Sequence, residues 1–165
     1  MRAIVEENVA IVANDNSRQP PVAPQANERC QLECIRALRT IVKNGIVIID
    51  DAGEILRKYR QNLSGKGQPG VGDAFLKHVY DHQYNKRKVQ RTALTIDENG
   101  EYADFPSDPL LMNFDPSDRL FVALACASPK PAAIFNAVDS DYSHHAQPLK
   151  SAGVSVTELC SDCLI

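Results

Sequence analysis

The chain has 165 residues, 44% hydrophobic and 24% charged, with 10 Pro, 8 Gly and a net charge of −3. That length fits one domain, 1–165, with a real core; no apolar stretch approaches the ~20 residues of a membrane span, and Glu6 and Glu7 stand where a secretory leader would be apolar, so the expected location is the cytoplasm. The net charge argues against a simple nucleic-acid binder, yet residues 57–91 carry +7 and the rest −10, which points to a basic surface beside an acidic one, with a solvated helix face as the plain alternative.

Residues 1–5 are a short apolar run that ends on Glu6-Glu7-Asn8. Residues 14–26 are polar and Pro-rich and read as a mobile surface loop. Over residues 28–43, Cys34, Ile35, Leu38, Ile41 and Val42 share one face at helical spacing, and Asn44-Gly45 supplies a stop. Residues 46–49 form a buried strand that ends on Asp50-Asp51. A helix over 54–63 leads into the stretch 65–72, where Gly65, Gly67 and Gly70 have the spacing of a dinucleotide fingerprint. That fingerprint must follow a strand, and no Lys-Ser/Thr pair makes it a phosphate loop, so it reads as a connection. A third helix, 73–84, ends in Lys86-Arg87-Lys88, and the segments 92–96 and 101–105 flank Asn99-Gly100, a hairpin signal.

Further on, Asp115 is an N-cap candidate, Pro116 suits a first helical position and Asp118 falls in the first turn of a helix running to 127. A third apolar run, 132–138, ends on Asp139-Ser140-Asp141, and a fourth strand covers 154–157 after Gly153. Strands alternating with helices predict an α/β domain with a mostly parallel central sheet flanked by helices and an added β-hairpin near 92–105. The five cysteines are odd in number, and without an export signal they read as reduced thiols rather than a disulfide framework. Cys30 and Cys34, one helical turn apart, and Cys160-x-x-Cys163 together offer four zinc ligands. The first pair lacks the knuckle spacing, and buried or idle thiols are the preferred reading.

Three apolar runs thus end in carboxylates: Glu6, then Asp50-Asp51, then Asp139 and Asp141. In a parallel sheet their carboxyl ends share one edge, where open α/β sheets place their sites, and Asp118 can join them. Clustered carboxylates raise one another's pKa unless a cation neutralises them. Hard oxygen ligands suit Mg2+ or Mn2+, and such ions activate water and stabilise the leaving oxygen of a phosphodiester. Lys86, Arg87, Lys88 and Arg91 lie together and would hold a phosphate backbone beside the acids. Taken singly, each acid is equally well a strand-end turn residue or a helix cap.

The acid-x-Asn after a first strand (Glu6-Glu7-Asn8), the Asp-x5-Leu-Ala segment from Asp118 to Ala125 and Val138-Asp139-Ser140-Asp141 after a late strand resemble the PIN domain. The resemblance spans nearly the whole chain. It implies a metal-dependent nuclease acting mostly on RNA, with DNA as an alternative substrate, and no organic cofactor. It also implies the setting of bacterial toxin-antitoxin pairs, hence an antitoxin or other regulatory protein, or a second copy, as partner. Carried over, Glu6 fills the first-strand acid position, normally Asp, with Asn8 as its companion; Asp118 fills the helix-start position and Asp139 and Asp141 the last pair. The expected catalytic set is Glu6, Asp118, Asp139 and Asp141, with Asp51 or Glu54 completing the metal ligands. The chain departs from the family where Arg57-Lys58-Tyr59 stands in place of Glu-Tyr on the helix after the second strand.

Two rival functions follow from the same residues: a catalytically degenerate PIN-like module that binds RNA or a protein, and a receiver-like phosphoacceptor domain built on Asp50-Asp51. His144-His145, just past Asp141, is a weaker candidate for base or phosphate contact. Tyr80 and Tyr84, interleaved with Lys77 and Lys86 to Lys88, are candidates for base stacking or for packing.

Overall fold

Short runs rich in Val, Ile and Ala build the centre of this computed structural model, which describes residues 1–14 and 23–164. The strands are β1 (Arg2–Val5), β2 (Ile46–Asp50), β3 (Val89–Thr92), β4 (Ala133–Asn136) and β5 (Val156–Glu158). They form one five-stranded sheet in the order β3-β2-β1-β4-β5, and every pairing is parallel. Ala3 of β1 lies opposite both Val47 and Ala133, so β1 is the central strand. Ala3, Ile4 and Val5 are wholly buried, and a strand covered on both faces has no reason to alternate. The α/β expectation with a parallel sheet flanked by helices therefore holds.

The helices are α1 (Glu7–Ala13), α2 (Glu28–Asn44), α3 (Glu54–Asn62), α4 (Val71–His82), α5 (Arg119–Ala127), α6 (Asp141–His144) and α7 (Ala146–Ser151). α1, α2, α3 and α4 pack among themselves, and α5 packs across β1, β2 and β4. Tyr59, Phe75, Phe114, Phe121 and Tyr142 are the largest fully buried side chains. Tyr59 satisfies its hydroxyl by donating to the Val5 carbonyl at 2.6 Å, which ties α3 to the end of β1. Among the described residues no helix is long and apolar enough to cross a membrane.

The glycine-rich stretch proves to be a packing device. A Cβ on Gly72 would stand 1.9 Å from the Ala10 carbonyl oxygen, and one on Gly70 would stand 2.1 Å from Asn14 Oδ1. α4 can approach α1 this closely only because these positions lack a side chain. The buried Asp73 carboxylate then holds the junction, accepting from the backbone amides of Ser64 at 2.7 Å and Gly70 at 2.9 Å and from Asn14 Nδ2 at 3.1 Å.

Several elements differ from the sequence expectation. Helix α1 starts directly after Glu6, in a segment to which the hydropathy pattern gave no element. β3 pairs with β2, where the sequence had placed the approach to a hairpin. The hairpin itself reduces to a single antiparallel bridge between Ile96 and Tyr102, with the Asp97 amide donating to the Glu101 carbonyl at 2.8 Å. Leu94, Tyr102 and Phe105 of the two arms pack against the core while Ile96 is 54% exposed, so the arms are held by side-chain packing rather than by a ladder, and a two-stranded ladder alone is marginal in water. The segment after Asp115 opens as a 3-10 turn, Pro116–Asp118, before α5, and β5 begins two residues later than the expected strand. Of the Pro-rich segment 14–26, residues 15–22 lie outside the described residues; Asn14 is bonded to Asp73, and Ala23 is buried.

Gly72→Ala should lower stability by about 1–3 kcal/mol, because the methyl group overpacks a backbone contact. Gly65→Ala, whose added methyl meets nothing within 4 Å, should be neutral or slightly stabilising. Urea unfolding of the two variants checks the contrast, and equal stability would contradict the packing role.

Candidate functional site

The carboxyl edge of the parallel sheet gathers the ends of β1, β2 and β4 side by side. Glu6 follows β1 and caps α1, its carboxylate accepting from the Asn8 amide at 2.6 Å. Glu7, the first residue of α1, therefore projects from the same corner. The loop after β4 is fixed to that corner by amide side chains. Asn8 Nδ2 donates to Asn136 Oδ1 at 2.9 Å, and Asn8 Oδ1 accepts from the Ala137 amide at 2.9 Å. Wholly buried Asn136 also donates to the Asp139 carbonyl at 2.7 Å and to Glu158 Oε2 at 2.6 Å. Asp139 is thereby brought back over β1, and Asp118 arrives from the 3-10 turn ahead of α5.

The result is a chain of charged groups. The Glu6 carboxyl lies against that of Glu7, and the Asp118 carboxyl against that of Asp139. Lys58 of α3 bridges the two pairs, with Nζ 3.0 Å from Glu7 Oε1 and 3.6 Å from Asp118 Oδ1, and it also lies 5.4 Å from the Phe121 ring centre. Burial, then Glu7 and Asp118, push Glu6 well above the carboxylate range. Burial, then the hydrogen bond and charge of Asp139, push Asp118 up to about 8 against the opposing pull of Lys58. Burial alone would lower Lys58; Glu7, Asp118 and Glu6 outweigh it and hold the ammonium above its ordinary value. Tyr142 is raised well above the usual phenol range by burial and then by the same carboxylates.

Fully ionised, four carboxylates and one ammonium leave −3 in a largely buried site, so either protons or a further cation must be taken up. The donor set fits a hard divalent ion. Glu6, Glu7 and Asp118 each offer an oxygen, all within 4.8 Å of one another. Two buried oxygens beside them, Glu7 Oε2 and the Tyr142 hydroxyl, have no hydrogen-bond partner among the described residues.

The other candidates lie elsewhere. Asp141 accepts from the Asp115 amide at 2.6 Å and faces His145 at 3.4 Å, so it braces the loop rather than joining the close group. Asp51 is exposed and its carbonyl accepts from Arg91 at 2.7 Å, while the buried Asp50 caps α3 through the amides of Glu54 and Ile55, both at 2.9 Å. Glu54 pairs with Arg57. His145 Nδ1 bonds the Asp141 carbonyl at 2.9 Å and its ring packs edge-on to Phe114, the part of a structural histidine. Lys86, Arg87 and Lys88 precede β3 and so sit toward the amino edge of the sheet, with Arg91 nearer the carboxyl edge. The basic residues form a stripe along the edge strand, in a groove shared by Tyr84, Lys86, Arg91 and Asp51, and not a wall of the acidic corner. Arg91 stacks on exposed Tyr84 and Arg60 on exposed Tyr80, both at 4.8 Å.

The sequence reading passed over Glu7, Asn136 and Tyr142. Glu7 had a signal, its place beside Glu6; Asn136 and Tyr142 had none short of the fold. No protein-family model, curated protein or solved structure matches the chain.

A carboxyl whose pKa is raised by folding binds its proton more tightly in the native state, so the native state holds more protons than the unfolded chain and stability falls as pH rises. For Asp118 that fall runs from the ordinary carboxylate range up through about 8. Thermal unfolding with chelator present should therefore show Asp118→Asn gaining on the parent as pH rises through this window. A parent that stays level with the variant, or gains on it, would contradict the crowded-carboxylate assignment.

Proposed function

We propose that the chain is a PIN-like, divalent-metal-dependent endoribonuclease of the cytoplasm, hydrolysing phosphodiester bonds with water as nucleophile. The observation that carries this reading is the convergence of Glu6, Glu7, Asp118 and Asp139 at the carboxyl edge of the sheet with more negative charge than Lys58 neutralises. Glu6, Glu7 and Asp118 would hold Mg2+ or Mn2+, with Asp139 orienting Asp118 through their hydrogen bond. The bound ion supplies Lewis acidity at the phosphoryl oxygen and a water of lowered pKa. Asp139, beside Asp118, would accept the proton of the attacking water. Lys58, which lies 3.0 Å from Glu7 in the metal-free corner, would swing off that bridge when the ion binds and place a positive charge where the phosphoryl group gains negative charge. Asn8 and Asn136 keep the β1 and β4 loops in register so that these groups stay together.

Substrate would be held by the stripe from Lys86 to Arg91, phosphate by phosphate, with Tyr84 and Tyr80 offering faces for bases. RNA is the favoured substrate and DNA the alternative. An antitoxin, another regulatory protein or a second copy of the chain remains the partner the resemblance implies.

One observation favours a second reading. Lys58 already bridges Glu7 and Asp118, as a tethered cation would in a degenerate module that binds RNA or protein without cutting. The phosphoacceptor reading would have to rest on the exposed Asp51, since both Asp50 carboxylate oxygens are engaged by backbone amides.

Incubation of single-stranded RNA with the protein and Mn2+ should give internal cleavage that chelator and Asp118→Asn each abolish. Replacing Lys86, Arg87, Lys88 and Arg91 with Ala should weaken RNA binding across sequences and flatten its log–log salt slope by up to ~3, at about 0.7 per lost phosphate contact. Salt-dependent RNA binding without cleavage would establish the degenerate module instead, and an unchanged slope would move the binding surface elsewhere.

A further inference from the structure

A second cluster of ligand-bearing side chains lies apart from the carboxylates. Cys30 and Cys34 are on successive turns at the start of α2, and Cys160 and Cys163 flank the 3-10 turn Ser161–Cys163 near the end of the chain. All four are buried. A disulfide joins Cys30 to Cys160 across 130 residues, which corrects the expectation of reduced thiols throughout. Spacing alone could not reveal this pair, because only the folded sheet brings the segment after β5 against α2. Cys34 keeps its thiol, and its sulfur lies 4.0 Å from that of Cys160. The sulfurs of Cys30, Cys34 and Cys160 all fall within 4.8 Å of one another. Cys163 is also a free, buried thiol, outside that close group: its thiol donates to Asp162 Oδ1 at 3.9 Å and its amide to the Cys160 carbonyl at 2.8 Å, which keeps it on the same turn as Cys160.

We propose that reduction of the Cys30–Cys160 disulfide converts this cluster into a zinc site in which Cys30, Cys34, Cys160 and Cys163 are the four ligands. Tetrahedral zinc with Zn–S bonds of about 2.3 Å sets its sulfurs about 3.8 Å apart. The Cys34–Cys160 separation is already at that value within a few tenths of an ångström. Freed from their bond, the Cys30 and Cys160 sulfurs can separate to that spacing by side-chain rotation. A thiol exchange relay is disfavoured by the same surroundings. Burial, then Glu33 and Cys163, push the Cys34 thiol up to about 12, which leaves almost no thiolate to attack the disulfide. A divalent cation reverses that preference, since a coordinating thiol is deprotonated outright.

The chemistry balances with a dithiol as reductant. The reductant loses two electrons and two protons and becomes a cyclic disulfide; the Cys30–Cys160 bond breaks and gains both as two thiols. Zn2+ then binds four thiols and releases four protons to solvent. Oxidised, the cluster staples α2 to the C-terminal turn through one covalent bond, and reduced it does so through the metal. In a cytoplasm that keeps thiols reduced, zinc would therefore maintain the junction.

The test uses the full chain, reduced with dithiothreitol and desalted without oxygen, then titrated with Co2+ and Zn2+. We expect one equivalent of Co2+ to give the sulfur-to-cobalt charge-transfer band and the intense visible bands of a tetrahedral thiolate site, and Zn2+ to displace it. Carboxylate-bound cobalt gives no such charge-transfer band, so the acidic corner does not interfere. Cys34→Ser or Cys163→Ser should weaken Zn2+ binding by about 100-fold or more, beyond the loss expected from an outer-shell change, while Cys126→Ser, at an exposed thiol, should leave it intact. As a check that needs no variant, Zn2+ should protect Cys30, Cys34, Cys160 and Cys163 of the reduced parent from alkylation and leave Cys126 reactive. No charge-transfer band in the reduced protein, equal binding by the oxidised protein, or alkylation of Cys34 and Cys163 at an unchanged rate would each overturn the proposal.

Discussion

The acidic corner is governed by electrostatic crowding. Glu6, Glu7, Asp118 and Asp139 converge from three separate parts of the chain, and a single ammonium, Lys58, lies between the two pairs. Desolvation makes each added charge costly, so the group holds together only with shared protons or with more positive charge than Lys58 brings. That condition ties the stability of the corner to its occupancy. A site that needs a cation to relieve its own repulsion is also one that binds the cation with a favourable change in the native state.

The scaffold around the corner is tied together by hydrogen bonds, which keeps the carboxylates from relaxing apart. Tyr59 pins α3, and with it Lys58, to the end of β1. The Asn8–Asn136 pair joins the β1 and β4 ends, and Asp50 fixes the first turn of α3 by accepting two backbone amides. These satisfied polar groups determine where the charges sit. The close approach of α4 to α1 at Gly72 stabilises the helix that carries Glu7. Fold and site are thus coupled through α1: its first residue is a ligand candidate, and its last turn is packed through a glycine.

Much of this architecture was legible in the sequence where hydropathy and position agree. Buried runs such as Ala3 to Val5 and Ile46 to Ile49 mark themselves, and the acids that end them mark the edge. The edge strand β3 did not, because Val89-Gln90-Arg91-Thr92 needs only one apolar anchor, Val89, to pair with β2. The Asn99-Gly100 signal did produce a turn, but its arms meet in one bridge, Ile96 to Tyr102, and otherwise pack on the core through side chains. Between the adjacent acids Asp50 and Asp51, composition could not choose; the end of β2 decides, turning the first inward as a cap and leaving the second exposed. Lys58 read as a missing carboxylate and turns out to stand between two of them, and the Cys30–Cys160 pair depends on a sequence separation of 130 that no local pattern spans.

The proposal that the corner is a divalent-metal centre is tested most directly by crystals soaked in manganese and measured at the manganese absorption edge. The account predicts an anomalous peak bonded to oxygens of Glu6, Glu7 and Asp118, with the Lys58 ammonium displaced from its bridge between Glu7 and Asp118. A corner without an anomalous peak, in which Lys58 still bridges Glu7 and Asp118 at saturating manganese, would contradict it.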